Sequence, residues 1–131
     1  MNGGASLSAG TIGAEVATPR TVNYSWHVVE VVTSATFDRW LRKLKDRRDA
    51  ARVLVRIDRL AAGKPGDVKP VGHGVSELRI EYGPGYRVYF LRDGDRLILL
   101  LIGGDKSTQD ADIRTAHSVA RTWHRTQGAH E

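Results

Sequence analysis

No cysteine occurs among the 131 residues, so this stretch of chain forms neither a disulfide nor a thiolate zinc site. Disulfides mark oxidising compartments, and a cytoplasmic setting is the expectation for a chain without them. Long apolar runs are missing too. The longest, Leu97 to Ile102, has six residues, whereas a membrane-spanning helix needs about 20, so no membrane partner is expected. Met1 to Gly13 has no basic stretch followed by an apolar core, and so does not read as a secretory signal. His27, His73 and His130 show no ligand spacing, and His117 and His124 share only a helical face. No metal and no cofactor are therefore expected. A phosphate-cradling P-loop and a Ser-His-Asp arrangement are equally absent.

What is present is a basic excess. Twenty Lys and Arg residues face fifteen Asp and Glu, a formal charge of +5. Residues 37–62 carry nine basic and four acidic side chains and hold that whole excess, while the rest of the chain sums to zero. A cationic block of this kind points to an anionic partner.

Residues 1–22 are rich in Gly, Ser and Ala and are expected to be a flexible tail. Residues 23–131 are expected to form a single domain. His27 to Thr33 is dense in Val and predicts a strand, since β-branched side chains favour extended backbone. Ser34 or Thr36 offers an N-cap oxygen. Phe37, Trp40, Leu41 and Leu44 then repeat at helical spacing, and so do Val53, Leu54, Ile57 and Leu60. Gly63 stands where a helix-closing glycine belongs. Residues 36–62 thus predict a helical hairpin with an apolar inside and a basic outside. Residues 63–74 contain two Pro and four Gly and read as a loop. Three strands follow, Val75 to Tyr82, Tyr86 to Arg92 and Arg96 to Ile102, joined by Gly83-Pro84-Gly85 and Asp93-Gly94-Asp95 turns. The apolar third strand reads as the sheet centre. Gly103 to Ser107 reads as a loop, and Thr108 to His124 as a closing helix. The expected fold is α+β: a small antiparallel-dominated sheet in β-α-α-β-β-β-α order, covered on one face by helices.

That topology brings basic residues together. Lys64, Lys69 and His73 lie in the loop before the meander, Arg79 on its first strand, Arg87 and Tyr89 on its second, and Lys106 after its third. Singly, such residues read as a solvated face. As a group they make a cationic surface on the sheet.

The run Asp67-Val68-Lys69-Pro70-Val71-Gly72, with Ser76-Glu77-Leu78-Arg79, Gly85-Tyr86-Arg87-Val88-Tyr89-Phe90 and Gly103-Gly104-Asp105-Lys106-Ser107, resembles the RelE/ParE superfamily of type II toxin–antitoxin toxins, within it the HigB-like "addiction module killer protein" branch. The resemblance spans about residues 27–124. It implies a neutralising helix-turn-helix antitoxin, with operator DNA reached only through that antitoxin. It also implies metal-independent endoribonuclease cleavage of mRNA, commonly at the ribosome, as in many relatives. The ParE group instead poisons DNA gyrase without cutting nucleic acid, and a degenerate relative would survive as a corepressor. By resemblance Arg87 falls on the phosphate-binding arginine, Arg79 on a strand that keeps basic residues, and Lys106 in a loop with another basic catalytic residue. Two positions depart from the pattern. No C-terminal tyrosine matches, Asp112 being near its place, and no histidine stands beside Lys106.

Metal-free RNA cleavage needs a base for the 2′-OH, charge stabilisation at phosphorus and a proton for the leaving oxygen. Arg87 suits the second role, because its planar fork matches phosphate oxygens. Lys106 suits the second or third. Lys69 is the candidate base, provided neighbouring cations favour its neutral form. Tyr89 is a candidate for stacking on a base, or else a core aromatic. His73 has an imidazole suited to acid–base work. Arg79 and Lys64 are expected to contact RNA. Arg52 and Arg56, on the helical hairpin, are expected either to dock ribosomal RNA, to capture an acidic antitoxin segment, or simply to solvate the outer face.

Overall fold

A valine-rich segment opens the described part of the chain. The computed structural model describes residues 29–129, with side chains to residue 126. The expected tail and the first two residues of the expected strand lie outside the described residues. Strand β1 is Glu30–Thr33. Ser34 then caps helix α1, Ala35–Lys43: its Oγ accepts from the Phe37 N–H at 2.9 Å and donates to the Leu101 carbonyl at 2.7 Å. One side chain thereby satisfies an orphan helix donor and ties the helix start to the sheet. Asp46 caps α2, Arg47–Ala61, by accepting from the Arg48 N–H. Gly63, at φ +87°, ends it. The Gly63 N–H donates to the Leu60 carbonyl and the Lys64 N–H to the Arg59 carbonyl, the paired bonds of a Schellman close.

The remaining strands are β2 Val68–Gly72, β3 Val75–Ile80, β4 Tyr86–Asp93 and β5 Leu97–Asp105. A 3-10 turn, Lys106–Thr108, leads into α3, Gln109–Ala129. The sheet order is β1-β5-β4-β3-β2, antiparallel except where β1 runs parallel to β5 at the edge. The α+β class and the antiparallel-dominated sheet match the expectation.

Three expectations need correction. Val68–Gly72 is a strand, although it lies inside the stretch read as a loop. It is an edge strand, where Pro70 has no ladder bond to lose on its open side, and the register shifts between Pro70 and Gly72. Gly103 and Gly104 belong to β5, not to a loop. A Cβ at Gly103 would overlap the Trp40 indole on one face, and a Cβ at Gly104 would overlap the Asp112 carboxyl on the other. These glycines serve close packing on both sides of the strand. The third correction concerns layers. Helices cover both faces. Phe37, Val53, Ile57 and Leu60 of α1 and α2 pack with Leu78, Val88, Phe90, Ile98 and Leu100. On the opposite face Ala116 and Ala120 of α3 pack with Val75, Tyr89, Leu91, Leu99 and Leu101. Burial on both faces explains the unbroken apolar run in β5, which lies second from the edge, β4 being central.

Tyr86 fastens the first face. Its ring meets Trp40 edge-on, with centroids 6.1 Å apart, and its hydroxyl donates to the Asp49 carboxylate at 2.5 Å. That bond, followed by burial, raises the Tyr86 pKa to about 12 from an ordinary 10.0.

Two outcomes are expected. Gly103→Ala forces the Trp40 indole to shift and should cost about 1–3 kcal/mol, the usual range for overpacking, read as a lower midpoint in urea unfolding. Because the folded pKa of Tyr86 is raised, its hydroxyl stabilises the native state fully below the unfolded pKa of 10.0. That contribution is lost as pH climbs towards about 12. Tyr86→Phe should therefore be less stable than the wild type at pH 8, by about 1–3 kcal/mol. The gap should narrow at pH 11, measured by urea unfolding at both pH values.

Candidate functional site

Cross-strand register sets the site. Lys69 of β2 stands opposite Glu77 of β3, which stands opposite Tyr89 of β4. In the next row Arg79 of β3 stands opposite Arg87 of β4, and Arg87 opposite Gly104 of β5. Opposed residues share a face, here the α3 face. Two arginines side by side repel unless an anion sits between them. Glu77 is that anion. It is 0% exposed. Its Oε2 accepts from the Tyr89 hydroxyl at 2.9 Å and from the Gln109 amide at 2.8 Å, and lies 3.5 Å from Arg87 Nε. Its Oε1 lies 3.7 Å from Arg79 Nε. Arg79 also faces Asp67 at 3.8 Å. Glu77 Oε1 and Arg87 Nε have no hydrogen-bond partner among the described residues, so their contacts are ion pairs without directed bonds.

The two arginines open onto a cleft of about 480 Å³ at the β3–β4 turn, lined also by Glu81, Tyr82, the Gly83-Pro84-Gly85 turn and Lys106. Gly85 turns the cleft wall at φ +80°, a left-handed backbone that glycine adopts without strain; a Cβ there would make only ordinary contact with Lys106 Cβ, at 3.6 Å, and Arg87 Nη1, at 3.7 Å. Lys106 opens the 3-10 turn that Asp105 caps through the Ser107 N–H. Behind the cleft, against Gly104, lies Asp112, which accepts from the Thr108 hydroxyl at 2.6 Å. Burial raises its pKa; the Thr108 bond opposes the rise and the nearby Asp105 charge adds to it. Arg79, Arg87 and Lys106 together attract an anion, and Arg87 offers planar geometry for phosphate oxygens.

The other sequence candidates are placed differently. Tyr89 is fully buried with its hydroxyl on Glu77. Its ring presents no face to a nucleobase, which corrects the stacking expectation. Burial and the Glu77 bond raise its pKa. Lys69 is exposed beside acidic Glu77, outside the cleft lining. Lys64 is exposed after α2 and does not line the cleft. His73, in the β2–β3 turn at φ +56°, is at the other end of β3, its ring 4.5 Å from that of His117. Its placement corrects the expectation that it lies near the cationic group. Arg52 lies over the Tyr82 ring, 3.9 Å from its centroid. Arg56 donates to the Arg79 and Pro65 carbonyls, both at 2.9 Å; its guanidinium clips the loop to β3.

Sequence reasoning passed over Glu77, Glu81 and Gln109. The signal for Glu77 was its position two residues before Arg79 on a strand, which puts both on one face. Among the described residues no group of three or more His, Cys, Asp or Glu side chains is arranged to hold a metal ion. No helix there is long and apolar enough to cross a membrane.

The family model described as "Phage derived protein Gp49-like (DUF891)" matches residues 39–122. An uncharacterized protein of Haemophilus influenzae is 50% identical over 93 residues, covering 71% of this chain and 94% of that relative.

Glu77→Gln keeps the shape and removes the charge that both arginines face. Breaking a buried pair in this way should cost about 3 kcal/mol. If the loss comes from Arg87 left unpaired, Glu77→Gln with Arg87→Met should lose at least about 1 kcal/mol less than the sum of the single losses. Urea unfolding of the three variants checks this.

Proposed function

The chain belongs to the phage-derived Gp49-like family, a family related to type II toxin–antitoxin modules, and on that premise we propose that it is a RelE/HigB-like toxin that cuts mRNA at the ribosome and is neutralised by an antitoxin protein. The observation that carries this reading is the convergence of Arg79, Arg87 and Lys106 on one cleft, with the arginines held by buried Glu77.

In this reading the scissile phosphate sits against Arg87 and Arg79. The RNA 2′-oxygen attacks phosphorus, forming the O2′–P bond, and the P–O5′ bond breaks. Glu81, the carboxylate of the cleft lining, takes the 2′-OH proton. The arginines meet the negative charge that grows on the equatorial oxygens, and Lys106 gives a proton to the departing O5′. The products are a 2′,3′-cyclic phosphate and a 5′-hydroxyl. No step in this scheme calls for a metal ion.

Interactions made mainly in the transition state lower the rate more than the affinity when removed. Arg87→Ala should therefore slow single-turnover cleavage of ribosome-bound mRNA by about 10²-fold or more. Lys106→Ala and Glu81→Gln should cut more slowly while binding ribosomes as the wild type does. Wild-type rates for Lys106→Ala on saturating ribosomes would remove its catalytic role. A wild-type protein that cuts no RNA with ribosomes would end the nuclease reading. If thymidine incorporation then stopped before amino-acid incorporation, gyrase inhibition would replace it; with no growth arrest, corepression would.

A further inference from the structure

Two histidines far apart in the sequence meet where the β2–β3 turn reaches α3. The turn Gly72-His73-Gly74 has φ values of +97°, +56° and +79°. Among the described residues His73 is the one non-glycine with a positive φ. Histidine visits that region more readily than most side chains, but at a cost, and such outliers gather at functional sites. The turn sets the exposed His73 ring 4.5 Å, centre to centre, from the ring of His117, with the ring planes at 68°. His117 is half-buried on α3, and its Nε2 lies 3.0 Å from the Val71 carbonyl. A carbonyl only accepts. The neutral His117 ring therefore carries its hydrogen on Nε2 and a lone pair on Nδ1.

We propose that His73 and His117 form a two-imidazole site for Zn²⁺ that staples the β2–β3 turn to α3. Imidazole nitrogens suit borderline transition ions and not Mg²⁺ or Ca²⁺, which take oxygen ligands. His117 is arranged as a metal-ligating histidine is. One ring N–H is tied to a backbone carbonyl, which fixes the tautomer, orients the ring and leaves the other nitrogen basic. Two imidazoles on neighbouring positions of one ion, with metal–nitrogen bonds of about 2.0–2.1 Å, have ring centres about 4.5–5.2 Å apart. The pair already stands at the lower end of that span, and the exposed His73 ring can turn without moving the backbone. Two protein ligands leave the remaining tetrahedral positions to water, so the ion binds more weakly than in a closed four-ligand site. Arg114 and Arg121 flank His117 on α3, and both are exposed, so solvent and salt screen their charges from the ion. The site is at the opposite end of β3 from the cationic cleft. The ion therefore takes no part in the cleft's chemistry, and the inference stands apart from RNA cleavage. Its effect falls on the sheet edge: β2 is largely exposed, and a metal bridge from its turn to the closing helix holds it down.

Calorimetric titration of the untagged full chain with ZnCl₂, beside MgCl₂, tests this. The wild type should take up one Zn²⁺ saturably and no Mg²⁺. His73→Asn removes an imidazole, and Asn tolerates the left-handed backbone. His117→Gln removes the other and keeps an N–H for the Val71 carbonyl. Each should weaken Zn²⁺ binding at least ten-fold, whereas His124→Ala, further along α3, should leave it unchanged. Without Zn²⁺, His73→Asn should unfold in urea at the wild-type midpoint. With Zn²⁺ present the midpoint of the wild type should rise and that of His73→Asn should not. Nitrogen NMR of the histidine rings should show Zn²⁺ on Nδ1 of His117, with its Nε2–H retained. Binding that survives in both variants would be an adventitious ion only, held by other side chains, and would overturn the proposal. So would binding lost in one variant alone, or equal uptake of Mg²⁺. No saturable uptake at all would reduce the two rings to a packing contact and end it.

Discussion

A carboxylate sealed inside the sheet, Glu77, determines what the rest of the molecule presents. A buried charge is costly unless its surroundings answer it. Here two hydrogen bonds, from Tyr89 and Gln109, and two guanidinium groups answer it together. The arginines gain as much from the arrangement. Arg87 is only 12% exposed on its side chain, and it stands across the strand pair from Arg79. Without the acid, that register would set two like charges against one another. With it, both guanidinium groups are fixed at the rim of the cleft and keep donors for an incoming anion. Gln109 adds a link in the chain of dependence, because it is the first residue of α3. The docking of that helix and the poise of the cleft therefore share one acceptor.

The two faces of the sheet divide the work. The α1–α2 face carries most of the large apolar side chains, and polar contacts from Tyr86 to Asp49, Ser34 to Leu101 and Arg56 to Arg79 join its helices to the strands. The α3 face is thinner, with Ala116 and Ala120 allowing the helix close to the strands, and it ends in the charged network. Strand β5 serves both. Gly103 admits Trp40 on one side and Gly104 admits Asp112 on the other, so two successive missing side chains let both layers close over the same strand.

Much of this was legible from residue pattern, and the rest was hidden for physical reasons. Helix periodicity at Phe37, Trp40, Leu41 and Leu44 and the capping chemistry of Ser34 and Gly63 are local signals, and the structure reproduces them. Strand β2 escaped notice because Pro70 and its glycines argue against a strand on propensity alone, while an edge position tolerates them. Gly103 and Gly104 read as loop residues because their reason is tertiary: each is small for a neighbour some 60 or eight residues away in the chain, Trp40 or Asp112. Topology alone groups Arg79, Arg87 and Lys106 on one cationic surface, and strand pairing narrows that surface to a single cleft that Lys64 and Lys69 do not line. His73 went astray for the same reason in reverse. Its loop was read as lying near the cations, and the β2–β3 turn sends it to the far end of the strand.

The end of β3 is where the cationic cleft and an arginine-rimmed groove along α2 meet, and their connection is covalent as well as spatial. Ile80, Glu81 and Tyr82 line both. Ile80 anchors the segment in the core at 4% exposure, so the two residues after it are held at a fixed height between the recesses. Arg56 reinforces this from the helix side by donating to the carbonyl of Arg79 itself. The backbone of a cleft arginine is thus pinned by a side chain of the groove helix, while its guanidinium is pinned by Glu77. The backbone and the guanidinium of Arg79 are held from opposite layers of the fold, and the three residues that follow it form the wall common to both recesses.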